Sequence, residues 1–165
     1  MGMEQTGWNS SLDLTAFGLE RGSWDVQYFC TPEGAHVFGW PGVDGIHFCT
    51  IDAFGEMIFT VSPMNLPGEY VHPVAANFAD FLRLLLACGN IAAIEQCWQW
   101  TREQFDAFLA EDACNAGNGD AIAELMQQTG LQPIEDVYGY IRQLQASFHY
   151  DAIPYSAEYW ETVGE

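Results

Sequence analysis

The chain has 165 residues, 49% of them apolar, and sets 23 Asp and Glu against four Arg and no Lys, a formal net charge of -19. That length and apolar content predict one compact domain burying roughly 70% of its unfolded surface. The scattered Arg21, Arg83, Arg102 and Arg142 cannot assemble the cationic cluster by which proteins hold phosphates, so nucleic acid is excluded as a partner, and anionic membrane surfaces by the same sign argument.

A surface this negative speeds encounter with a basic partner, although acid runs also serve simply as solvated faces. No apolar run reaches the roughly 18 residues of a membrane helix. The start MGMEQTGWNSS lacks the basic and apolar regions of a secretory leader, which predicts a cytoplasmic protein. Cys30, Cys49, Cys88, Cys97 and Cys114 are odd in number and contain no CxxC. They predict free buried thiols rather than a disulfide framework or a zinc ribbon.

In chain order, a short helical turn is expected at Ser11 to Leu19. WDVQYFC (24 to 30), the turn TPEG (31 to 34) and AHVFGW (35 to 40) then read as a hairpin. After the loop PGVDG, IHFCTID puts Ile46, Phe48 and Thr50 on one face and His47, Cys49 and Ile51 on the other. DAFG (52 to 55) turns the chain, and EMIFTVS sends Met57, Phe59 and Val61 to one face and Glu56, Ile58 and Thr60 to the other. Gly68 to Val71 is a candidate extra edge.

From Pro73 the period changes from two to 3.6. Val74, Phe78, Phe81, Leu82 and Leu85 form a helical stripe with Pro73 in the first turn and Gly89 at the C-terminal cap. Asn90 can cap a short helix through Trp98. Thr101 and Gln104 have capping-box spacing for a third helix with Phe105, Phe108 and Leu109 inward. Two more are expected at 119 to 129 and 134 to 147, the last carrying Ile134, Val137, Ile141 and Leu144 behind Pro133, with Glu135 and Asp136 at its positive end. Strands first and helices second predict an α+β fold: an antiparallel sheet of four to six strands in the N-terminal half, covered by helices from the C-terminal half.

His36, His47 and Cys49 on neighbouring strands, with His72, are the residues from which a metal site or thiol enzyme could be built. Neither spacing nor an acid pattern demands a metal, and no metal or other cofactor is expected. A chain of charge -19 is a poor setting for a thiolate. GxSxG, P-loop, GxGxxG and HExxH motifs are absent from the sequence, so no catalytic residue is assigned. Trp98 and Trp100 flank Gln99 and cannot both face the core. Either one is a contact anchor or it packs against the next helix.

The run GWPGVDGIHFCTIDAFGEMIFTVSP followed by HPVAANFADFLRLLLACG resembles the SUKH superfamily of cell-wall synthesis regulators, Syd and bacterial immunity proteins. The likeness lies in a Gly and Asp-rich approach to a strand ending in Asp52, a glycine turn, a second strand, and the helix motif Asn77-Phe78-Ala79-Asp80-Phe81-Leu82. It spans residues 35 to 89. The N-terminal helix and the Pro-containing segment usual in that superfamily are not found in residues 1 to 23. The resemblance implies a SUKH-like domain over 1 to 165, with 90 to 165 a helical extension of it. It also implies a non-enzymatic protein binder, in many members an immunity protein that neutralises a toxin, here a basic one and in some cases a nuclease. Asp44, Asp52, Glu56 and Glu69 are the candidate contact acids, with Tyr70 and Trp40 as anchors. A regulatory or scaffolding domain with an endogenous partner is the alternative, and a small metal or thiol enzyme a further one.

Overall fold

In the computed structural model, residues 13–21, 28–42, 45–112 and 119–163 are described. The central hairpin follows from its two-residue period. In strands β3 (His47–Ile51) and β4 (Ile58–Val61), His47 pairs with Val61, Phe48 with Thr60, Cys49 with Phe59 and Thr50 with Ile58. A 3-10 turn at Asp52–Phe54 joins them, closed by the Gly55 N–H on the Asp52 carbonyl. Gly55 takes φ 66° and ψ -121°, a backbone region open to glycine and strained for any residue with a Cβ.

Strand β2 (Ala35–Trp40) lies antiparallel to β3, and the two-residue strand β1 (Glu20–Arg21) pairs outside it. This corrects the expected first hairpin. Tyr28 to Cys30 lie in and beside a turn, not in a strand against β2, and residues 24 to 27 fall outside the described residues. Of the early helical turn, a 3-10 turn at Thr15–Phe17 is present, while residues 11 and 12 are also outside the described residues.

Strand β5 (Val71–Ala75) completes the order β1-β2-β3-β4-β5 by pairing with β4. Pro73 and Val74 therefore belong to a strand and not to the following helix. Proline has no N–H to give a ladder, which an edge strand tolerates, and the register shifts between Ile58 and Phe59, where Phe59 meets Pro73.

Helix α1 (Phe78–Cys88) starts at Phe78 because Asn77 caps it, its side chain accepting the Asp80 N–H at 2.8 Å. Gly89 ends it with φ 75°. Asn90 caps α2 (Ile91–Gln96), which runs into a 3-10 turn at Cys97–Gln99. The capping box of α3 (Arg102–Asp112) is formed in both directions: Gln104 N–H to Thr101 Oγ1 at 3.1 Å, and Thr101 N–H to Gln104 Oε1 at 2.9 Å. Helix α4 (Gly119–Thr129) lies where expected. Helix α5 (Val137–Ser147) begins three residues later than its stripe suggests, because the Asp136 side chain takes the Gly139 N–H at 3.1 Å and caps there.

Two apolar clusters meet the two faces of the sheet. Phe48, Ile58 and Val74 pack toward the helices with Phe81, Leu85, Ile94, Phe105 and Ile141. Cys49, Ile51, Phe59, Val61 and Val71 pack on the other side with Cys30, Ile153 and Tyr159 of α6 (Ala157–Val163). The face predicted for each hairpin residue is thus the face observed. The second cover, made by the turn near Cys30 and the last segment of the chain, explains why every residue of β3, β4 and β5 is buried. The architecture is α+β.

Cys30, Cys49, Cys88 and Cys97 are free, and all but Cys88 are buried. Cys114 is outside the described residues. Among the described residues no helix is long and apolar enough to cross a membrane.

Candidate functional site

The three histidines offered as metal ligands stand in three separate settings. His36 is exposed on β2, 2.7 Å from the Asp52 carboxylate. His47 is buried, and its Nδ1 lies 2.9 Å from the Gly45 carbonyl. A carbonyl only accepts, so Nδ1 carries the proton, and Nε2 accepts the Thr31 hydroxyl at 3.1 Å. Burial holds the His47 ring below its ordinary pKa. It is a satisfied core histidine. Cys49, its neighbour, is pushed up to about 12 by burial alone, which makes it inert as a nucleophile. Among the described residues no three His, Cys, Asp or Glu side chains are arranged to hold a metal ion.

His72 lies in the most chemically diverse surroundings. It sits on β5, 4% exposed, with Trp98 stacked on its ring at 4.5 Å and the Tyr150 hydroxyl 2.7 Å from Nδ1. Glu69 Oε1 approaches Nε2 to 3.0 Å, but the angle is poor and this buried nitrogen has no well-formed hydrogen bond. Arg142 and Gln145 reach the same place from α5, one helical turn apart on one face. Gln145 Nε2 is fixed on the Pro73 carbonyl at 3.1 Å, and Arg142 Nη1 on the Trp100 carbonyl at 2.8 Å. Together these side chains line a cavity of about 390 Å³.

Carboxylate, imidazole and phenol stand here in the order of a proton relay, with the ring made less basic and the phenol less acidic than usual. Desolvation first, and the Arg142 charge second, bring His72 down to about 4, so it is neutral and a feeble base at neutral pH. Burial, with the Glu69 charge beside it, pushes the Tyr150 phenol far up. A proton moved from that phenol to that ring climbs steeply in free energy, whereas a working base sits near the operating pH.

The six contact residues expected from the sequence do not form one surface. Asp52 and Glu56 are exposed at the β3–β4 turn, with Asp52 held by His36. Glu69 lies at the opposite end of the sheet, in the cavity just described. Trp40 is half-buried at the end of β2, and Asp44 is outside the described residues. Tyr70 is corrected: it is 7% exposed and packs edge-on to Phe29 at 5.0 Å in the second core cluster, so it is no surface anchor. Trp98 and Trp100 are both half-buried, Trp100 against Phe108 at 4.8 Å. Among the described residues the exposed tryptophan is Trp160 on α6, at 49%. Its position after Tyr159, on an amphipathic AEYWETV run, is the signal that could have found it. No family model, no curated protein and no solved structure matches the chain.

Proposed function

We propose that the protein is a non-enzymatic binding domain for a basic protein, most concretely a cytoplasmic immunity protein that neutralises a basic toxin such as a nuclease. The observation that carries this reading is the fate of its cations. Arg102 is paired with Asp136 at 3.2 Å, Arg83 donates to the Gln132 carbonyl at 2.9 Å beside Asp80, and Arg142 is held on Trp100. The described cationic side chains are thus engaged within the fold. Asp13, Glu20, Glu33, Asp52, Glu56, Glu103, Asp106, Glu124, Asp151, Glu158 and Glu161, by contrast, are exposed.

Such a field favours a partner of opposite sign and raises its association rate. The resemblance of residues 35 to 89 to the SUKH superfamily points to the same class of function. The dispersal of His36, His47, Cys49 and His72 supports neither a metal enzyme nor a thiol enzyme. A regulatory domain with an endogenous basic partner rests on the same charge argument and is separated by the partner's identity. Affinity capture with the full chain from its native host, including the product of the neighbouring gene, tests the proposal. A basic protein whose toxic activity falls on binding is expected. Recovery of acidic proteins alone contradicts it.

A further inference from the structure

The geometry points to a second, small-molecule site in the cavity at the β5 edge: we propose that it binds a free apolar or aromatic α-amino acid as a zwitterion. This goes beyond the partner-binding reading and does not depend on it.

Arg142 and Glu69 both line the cavity. Among the described residues they make no ion pair with each other, for Arg142 bonds to Trp100 and to the Tyr138 hydroxyl at 3.2 Å, while Glu69 reaches His72. Two opposite charges held apart on one cavity suit a ligand that carries both, with its carboxylate toward the guanidinium and its ammonium toward Glu69. A ligand with one charge would satisfy one group and be repelled by the other.

Trp98 and Tyr150 give the cavity apolar surface for a side chain, and the surrounding negative field disfavours an acidic one. At about 390 Å³ the space is at the small end of ligand pockets, which span roughly 300 to 1,000 Å³.

The test is titration of the full chain with L-leucine and L-phenylalanine, read by melting temperature and by tryptophan fluorescence, since Trp98 stacks on the ring of the site. Leucine methyl ester, a cation, and N-acetyl-leucine, an anion, are the controls. We expect the zwitterions to raise the melting temperature and the controls to bind at least about tenfold more weakly. Glu69→Gln should weaken leucine binding by a similar factor while its folding, read by circular dichroism, is unchanged. Arg142→Gln should do the same but also loosens Trp100, so Glu69→Gln is the decisive variant. No response to either amino acid at about 10 mM, equal binding of the controls, or unchanged binding by Glu69→Gln overturns the proposal.

Discussion

His72 and Tyr150 are 78 positions apart in the chain, and the Tyr150 hydroxyl lies 2.7 Å from Nδ1 of the His72 ring. That contact ties the last segment of the protein to the edge strand of its sheet. It also fixes a neutral ring in a buried place, which has a pH consequence. Because the His72 pKa is depressed to about 4 in the fold, against about 6.5 unfolded, the unfolded chain takes up the proton first as pH falls. The neutral ring therefore penalises the fold progressively from about pH 6.5 down to about pH 4, by up to about 3 kcal/mol. Protonation of surface carboxylates relieves repulsion in the same window and works the other way. The difference between the wild type and His72→Gln isolates the ring: the variant should lose less stability between pH 7 and 4, measured by urea unfolding at each pH. Parallel curves would show that the ring titrates normally.

Three glycines should respond with different signs. At Gly55 a Cβ meets nothing within 4 Å, so Gly55→Ala tests the φ of 66° alone; a loss of about 1 to 3 kcal/mol is expected. Gly119, at the start of α4, has neither a positive φ nor a neighbour within 4 Å, so Gly119→Ala should stabilise, by up to about 1 kcal/mol. Gly139 is also helical, but its Cβ would collide with the Asp136 carboxylate that caps α5 and pairs with Arg102. Gly139→Ala should destabilise despite the better helix propensity. Denaturant midpoints decide all three.

Phe81 is fully buried in α1, with ring centroids 5.7 Å from Phe38, Phe48 and Phe78. Phe81→Ala should cost about 3 to 5 kcal/mol. A cost below about 1 kcal/mol would contradict the packing of α1 on the sheet.

Salt should stabilise the fold. Between 0.01 M and 0.1 M the screening length falls from about 30 Å to about 10 Å, which weakens repulsion on a surface of charge -19. The melting temperature should therefore rise over that range. A fall would mean that pairs such as Arg102–Asp136 outweigh the repulsion.

The parts legible in the sequence were those set by local rules. The β3–β4 hairpin followed from alternation and Gly55, α1 from its apolar stripe and Gly89, and α2 and α3 from Asn90 and the Thr101–Gln104 box, whereas the Asn77 cap that starts α1 was missed. Strand β5 was hidden by Pro73, which marks the first turn of a helix as readily as it sits in an edge strand. The second face of the sheet was hidden because its cover comes from Cys30 and from Ile153 and Tyr159, more than 100 positions apart in the chain. Buried polar residues such as His47 and Thr60 also make a doubly covered strand look half-exposed. The cavity drew its residues from β5, the turn after α2, α5 and the segment after it, a convergence no spacing rule encodes. Tyr70 failed as an anchor for a related reason: the last segment of the chain covers it.

The central claim, a basic protein partner steered by an acidic surface, is tested most directly by the association rate with the captured partner as a function of ionic strength. The account predicts an on-rate that falls steeply with salt while the off-rate, set by short-range packing, changes little. Paired reversal of the exposed Asp52 and Glu56 to Lys should slow association further. An on-rate indifferent to salt would contradict the account.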